Sequence, residues 1–202
     1  MQGDWKKEWQ PMVDSVGQDF SNKGEEVVWG ADEVEKGGIR RFLEPLEFDC
    51  ALHYDEEVAQ KHGYNDIIAP YSSILTWSIP PLWEPGKTVF TSEEKHSQPT
   101  ESPLTGLKID KAPSTTGYIV TDIEFEYFQP IVVGDRICKV GNVLLSCLPK
   151  ETKIGKGAFM TWESKFLNQK DDLIAIVRMQ TYSYNPYPVG NQEETGQKEA
   201  AN

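Results

Sequence analysis

The run Glu47-Phe-Asp49-Cys-Ala-Leu-His53-Tyr-Asp55-Glu-Glu-Val-Ala-Gln-Lys-His62-Gly63-Tyr-Asn-Asp-Ile-Ile-Ala-Pro70-Tyr71-Ser72-Ser73 carries two of the chain's three histidines and a cluster of carboxylates, just ahead of an apolar segment. Asp55 precedes Glu56 and Glu57, acidic residues where a helix N-terminus favours them, and Gly63 stands where such a helix would end. A short helix is therefore expected between them. Pro70 suits a first helical turn, Pro80-Pro81 would stop a helix, and Ile74, Leu75, Trp77 and Ile79 lie among small polar residues between those marks. Residues 71–79 read as a buried central helix.

Downstream the period changes. Ile119, Thr121, Ile123, Phe125 and Tyr127 alternate with Val120, Asp122, Glu124 and Glu126, the pattern of a half-buried strand closed by Gln129-Pro130. Gly134-Asp135 opens a second strand to about Leu148, and residues 149–157 read as a basic, glycine-containing turn. Residues 158–168 and 173–184 are the third and fourth strands, giving an antiparallel meander. Strands this long must bend or twist, and they wrap naturally around one central helix. Helical patterns first and strands second make the fold class α+β.

The chain reads as one domain, residues 25–187, with additions. Residues 1–24 form a polar N-terminal extension that would dock through Trp5, Trp9 and Met12. Asp32 is placed to cap a helix through about Leu43, weakened by Gly37-Gly38. Residues 80–115 are rich in Pro, Gly, Ser and Thr, and such a length without periodicity reads as a lid over a pocket or as a disordered insertion. The tail 188–202 has nothing to bury and is expected to be disordered.

A formal net charge of −12 opposes approach to nucleic acid or an anionic membrane surface. No apolar run is long enough to span a bilayer and the N-terminus lacks a signal-peptide core, so a cytoplasmic protein is expected. Cys50, Cys138 and Cys147 are odd in number and show no Cys-x-x-Cys spacing, which points to neither disulfides nor zinc. Cys138 and Cys147 lie in strand-like runs and read as core thiols.

Leu52-His53-Tyr54-Asp55, Ala59, Gly63-Tyr64 and Ile68-Ala69-Pro70 resemble the MaoC-like hydratase/dehydratase family, in particular its N-terminal dehydratase-domain branch. The run from Glu124 to Pro130 and Val133-Gly-Asp135 look like the first long strand and following turn of the same fold, the hot dog, in which a curved antiparallel sheet wraps a central helix. The resemblance implies reversible addition of water across the α,β double bond of an enoyl thioester, carried on coenzyme A or an acyl carrier protein, with no metal or redox cofactor. It also implies a partner: paired hot dogs set two sheets side by side, so a chain with one sheet is expected as a homodimer or in a hetero-oligomer with another hot-dog chain.

Catalytic members carry Asp-x-Asn-Pro-x-His before the short helix. His53 matches the histidine, whereas Cys50 and Ala51 hold the asparagine and proline positions and Phe48 the aspartate position, with Asp49 and Glu47 on either side. His53 has two readings, a general base or water-orienting group partnered by Asp49, and a structural residue bonded to backbone. His62 reads as a C-terminal helix cap, and His96 has nothing nearby to recruit it. Amides of Tyr71, Ser72 or Ser73 at the helix start suit a developing oxyanion, with the Tyr71 and Ser72 side chains as alternative pocket lining. Arg40-Arg41 and the Lys150, Lys153 and Lys156 group are the compact basic clusters for coenzyme A phosphates, or plain solvated surface. Two functions follow: an enoyl-thioester hydratase, equivalently a 3-hydroxyacyl-thioester dehydratase, or a non-catalytic acyl-CoA-binding subunit whose partner carries the intact acid/base pair.

Overall fold

The computed structural model describes residues 4–21, 27, 29–94, 97 and 109–188. Residues 189–202 of the expected tail, His96, and residues 95 and 98–108 of the proline-rich insertion lie outside the described residues. The described residues of that insertion, 80–94, 97 and 109–115, hold no helix or strand.

Four long strands form one antiparallel sheet: β2 (Gly117–Tyr127), β4 (Cys138–Thr152), β5 (Gly155–Leu167) and β6 (Leu173–Pro186), in the order β2-β6-β5-β4. Two short strands, β1 (Ile68–Ala69) and β3 (Ile131–Val132), pair separately. The alternation read in the sequence locates all four long strands, but only the last three make a meander. β2 pairs with β6, Phe125 opposite Val177, and the connection through β3 carries the chain to the far edge at β4. The expected turn at 149–157 is also shorter: β4 runs on through Pro149, opposite Ala158, and the hairpin closes at Lys153-Ile154. Proline is tolerated there because β4 is an edge strand.

One face of the sheet is covered in two halves. Ala158, Met160, Trp162 and Phe166 follow one another at even spacing on β5 and share that face. Phe166 belongs to a cluster with Ile174, Ala175 and Val177, closed by Val34, Ile39, Leu43, Ala59, Ile74 and Trp77 from the helical side. The other three pack under Trp9 and Met12 of the N-terminal segment, a 3-10 turn (Trp5–Trp9) running into helix α1 (Gln10–Val13). The same segment covers the middle of the β4 edge: Gly17 N–H donates to Leu144 O at 2.8 Å, Leu144 N–H to Gln18 O at 3.0 Å, and Phe20 N–H to Asn142 O at 3.0 Å.

The helical side departs from the sequence reading twice. Helix α2 spans Lys36–Leu43, and Asp32 does not cap it; residues 32–35 are not helical and Glu35 is extended, because Val34 pairs by backbone with the 134–135 turn, donating to Asp135 O at 2.7 Å and accepting from Gly134 N–H at 2.9 Å. The expected central helix is a 3-10 turn (Tyr71–Ser73) followed by helix α4, four residues long (Ile74–Trp77). It stops short of Ile79 since Ser78 Oγ takes the Leu75 carbonyl at 3.0 Å and the Ile79 carbonyl accepts from Ala31 N–H at 2.9 Å. Helix α3 (Glu56–Lys61) is where expected, capped by Asp55 accepting from Val58 N–H at 3.1 Å, with Gly63 at a φ of 91° beyond it.

Trp77 joins these pieces. A Cβ at Gly38 would lie 2.5 Å from the Trp77 ring, and one at Gly30 would lie 1.9 Å from the Trp77 carbonyl oxygen, so both glycines are required by close approach. Gly30→Ala is expected to cost roughly 2–3 kcal/mol through overpacking, read as a lower urea midpoint.

Candidate functional site

The candidate residues lie on the 47–54 segment that follows α2 and at the turn before α4, and α2 and α4 share one core cluster through Ile39, Leu43 and Ile74. A one-turn 3-10 helix (Ala51–His53) carries His53 inward; the residue is 7 % exposed and its Nδ1 lies 2.7 Å from the Ile68 carbonyl. A carbonyl only accepts, so Nδ1 carries the hydrogen and, in the neutral ring, Nε2 keeps the lone pair. The anchor is itself supported. Ile68 pairs with Val132, and Val132 N–H donates to the carboxylate of Asp135 at 2.8 Å. Asp135 is buried, which raises its carboxyl pKa, against the lowering effect of that amide. The Val133-Gly-Asp135 motif is thus a structural brace that reaches His53 through β3 and β1.

Asp49 does not join His53. Its carboxylate accepts a hydrogen bond from the Tyr54 hydroxyl, and that bond is the main cause of the raised Tyr54 pKa. The position that the aspartate of the motif would occupy holds Phe48, whose ring lies 5.5 Å from the His53 ring. Phe48, Asp49 and Tyr54 instead line an open crevice of about 320 Å³ with Arg40, Leu43 and Glu44, and Arg40 is paired with Glu44.

The three residues expected to bind substrate separate. Ser73 is fully buried; its hydroxyl donates to Pro70 O at 2.6 Å and accepts from Trp77 Nε1 at 2.9 Å, and its amide donates to Pro70 O at 2.9 Å. Ser73 thus uses its hydroxyl and amide within its own turn and toward the Trp77 indole. Tyr71 and Ser72 are exposed at the start of the turn, where amides have no acceptor within the helical segment. The Tyr71 ring packs tilted, at 44°, against Tyr127 with centroids 4.8 Å apart, the Tyr71 carbonyl accepts from Tyr127 Oη at 3.0 Å, and Tyr127 lies parallel to Phe125 at 5.8 Å. This aromatic strip was not foreseen, although the alternation of β2 places Phe125 and Tyr127 on one face.

The remaining candidates have local duties. His62 Nδ1 lies 2.9 Å from Val58 O at the end of α3, as a helix cap would. Lys150 sits over the Phe159 ring at 5.8 Å and Lys156 lies 3.7 Å from Glu151, so the β4–β5 hairpin uses part of its own charge. Cys138 is buried, and burial pushes the Cys147 thiol up to about 11, consistent with unreactive thiols. Among the described residues no group of three or more His, Cys, Asp or Glu is placed to hold a metal ion.

Residues 21–177 match the family model described as FAS1-like, dehydratase domain region. The chain belongs to this MaoC-like family of dehydratases. It is 27% identical over 172 residues to the probable enoyl-CoA hydratase alpha subunit of Thermomonospora curvata, covering 85% of this chain and 50% of that protein. A UPF0336 protein of Saccharopolyspora erythraea is 31% identical over 113 residues, 56% of this chain and 60% of that one. This dehydratase-family chain therefore spans about half the length of the curated relatives it matches.

Solved structures give the same architecture. The ChsH1-ChsH2 complex from Mycobacterium tuberculosis aligns with a TM-score of 0.63 at 15% identity, covering 92% of this chain and 96% of the matched one. A MaoC-like dehydratase from Rhodospirillum rubrum aligns at 0.52 and 20% identity, covering 86% and 94%. The dehydratase-family chain has the α+β hot-dog fold, with its central helix reduced to a 3-10 turn and α4.

Proposed function

We propose that this chain is the non-catalytic, acyl-thioester-binding half of a two-chain enoyl-thioester hydratase, in reverse a 3-hydroxyacyl-thioester dehydratase, whose acid/base pair sits on a second hot-dog chain. Hydration requires a base that takes a proton from water as its oxygen attacks the β-carbon. It requires a donor for the negative charge that forms on the thioester oxygen, and an acid that protonates the α-carbon. The observation that carries the reading is the place of Asp49: it is bonded to Tyr54, while Phe48 faces the His53 ring. His53 uses Nδ1–H on Ile68, and Ser73 uses both amide and hydroxyl within its own turn.

What this chain offers a substrate is the exposed start of the turn at Tyr71 and Ser72 with the Tyr71–Tyr127–Phe125 strip beside it. Coenzyme A is the favoured carrier, in keeping with the enoyl-CoA relative. A two-chain enzyme accords with the similarity to a protein described as an alpha subunit and with the fold shared with the ChsH1-ChsH2 complex. A cytoplasmic location accords with three free thiols and with the lack, among the described residues, of any helix long and apolar enough to cross a membrane.

A second reading keeps the whole reaction on this chain, and one observation favours it: the tautomer fixed by Ile68 leaves Nε2 of His53 as a base. Binding separates the proposal from a purely architectural role. Titration of the chain with trans-2-enoyl-CoA thioesters, followed by tryptophan fluorescence, is expected to saturate. Tyr71→Ala is expected to weaken binding about tenfold through loss of stacking. No saturable binding to any chain length would overturn the proposal.

A further inference from the structure

His53 and His62 share one tautomer and differ in access. Each donates Nδ1–H to a backbone carbonyl, Ile68 O at 2.7 Å and Val58 O at 2.9 Å, so each neutral ring carries its lone pair on Nε2. His62 is exposed at the end of α3, whereas His53 is 7% exposed.

A phenyl ring shields the buried one. Phe48 packs against the His53 imidazole with ring centroids 5.5 Å apart and planes tilted by 38°. The same side chain lines the open crevice of about 320 Å³, and His53 is not part of that lining. Phe48 is therefore a partition between the crevice and the histidine. Among the described residues no fully buried side-chain nitrogen or oxygen lacks a hydrogen-bond partner, so Nε2, which has none, keeps a thin contact with solvent. The partition narrows access to Nε2 and does not seal it.

The ring is placed by a helix end. Helix α2 and the 3-10 turn after it (Glu44–Leu46) finish in a left-handed cap, in which Glu47 N–H donates to Glu44 O at 3.3 Å and Phe48 N–H points to Leu43 O at 3.5 Å. Such a cap brings the side chains of its first and last residues together, and here Leu43 and Phe48 both line the crevice. It also sets Glu47 at a φ of 48°, where glycine is the usual residue. The backbone thus takes a costly conformation to put Phe48 where it is.

An imidazole nitrogen with a free lone pair becomes a general base once water reaches it. A chain that only holds a thioester must keep water from that nitrogen, since addition there would consume the substrate before the second chain acts. We propose that Phe48 is an autoinhibitory side chain that restricts water at Nε2 of His53 and keeps this half of the enzyme silent. The inference rests on the non-catalytic reading above and names the contact that enforces it.

The test is the rate of acylation by diethyl pyrocarbonate, which attacks the imidazole lone pair, followed residue by residue with peptide mass spectrometry. In the wild type His62 is expected to react at least tenfold faster than His53. Phe48→Ala is expected to raise the His53 rate at least fivefold and to leave the His62 rate unchanged. Leu46, 58% exposed in the same segment, is the control, and Leu46→Ala is expected to change neither rate. Protection of the Cys138 thiol, 2% exposed, from a maleimide shows that each variant is folded. Where Phe48→Ala fails that check, Phe48→Val takes its place with the same expectation.

Three results would overturn the inference: a wild-type His53 that reacts as fast as His62, a folded Phe48 variant whose His53 rate rises less than fivefold, or an equal rise in Leu46→Ala. Turnover by the wild-type chain is a separate result. It would remove the non-catalytic reading, while the labelling rates still decide whether Phe48 shields His53.

Discussion

Trp77→Ala is expected to lower the free energy of unfolding by about 3–5 kcal/mol, in the range of large-to-small changes at buried aromatics. The side chain is only 8% exposed and ends the short helix α4. Its indole lies over Gly38 of α2, its Nε1–H donates to Ser73 Oγ at 2.9 Å, and its carbonyl abuts Gly30. Alanine would leave a cavity between α2 and α4, and would remove the donor to a hydroxyl that lies in the core. Urea unfolding should show the midpoint falling with little change in slope. Trp83 is 58% exposed and serves as the control, since Trp83→Ala is expected to stay within about 0.5 kcal/mol.

Removal of residues 1–21 is expected to be as damaging by a different route. The segment supplies Trp9 and Met12, 3% and 0% exposed, to the cluster with Leu144, Ala158, Met160 and Trp162. It also supplies the three backbone hydrogen bonds at the β4 edge. Lys111, near the end of the insertion, reinforces the same joint by donating to Ser15 Oγ at 3.0 Å and Gln18 Oε1 at 2.9 Å. Truncation therefore uncovers an apolar patch and a strand edge at once, the combination that drives aggregation. The truncated chain should bind an apolar dye and sediment as aggregates, while Trp9→Ala, which keeps the edge bonds, should stay soluble and lose roughly 3 kcal/mol. A truncated chain that is monomeric and melts like the full chain would contradict the role given to this segment.

Both predictions concern contacts that the sequence shows unevenly. Ile123, Phe125 and Tyr127 announce β2 through a period of two that belongs to the strand itself, and the long strands were legible for that reason. Asp32 reads as a cap because capping chemistry is local, but Val34 is drawn into pairing with Gly134 and Asp135, a hundred residues away, and α2 starts later. The length of α4 was hidden in the same way, since Ile79 is claimed by Ala31. Proline at 149 signalled a turn, and only the edge position of β4 shows why the strand continues.

The site divides along the same line. His53, singled out in the sequence just before the short helix, is buried and bonded to the Ile68 carbonyl. The partner of Asp49 was not legible, because a carboxylate five residues before a tyrosine carries no recognised spacing. Ser73 looked like a free hydroxyl at a helix start; burial and the indole of Trp77 make it part of the core. Shared elements thus identify the family, while Phe48 at the aspartate position separates this chain from members that carry the full motif.

Turnover by the isolated chain is the most direct measurement of that separation. Purified protein and its His53→Gln variant, verified as folded, are incubated with trans-2-enoyl-CoA thioesters of increasing chain length, and 3-hydroxyacyl-CoA is quantified by mass spectrometry. The account predicts that neither forms product above the buffer rate, although the wild type binds the thioesters. Hydration by the wild type that disappears in His53→Gln would contradict it, and would place the acid/base chemistry on this chain.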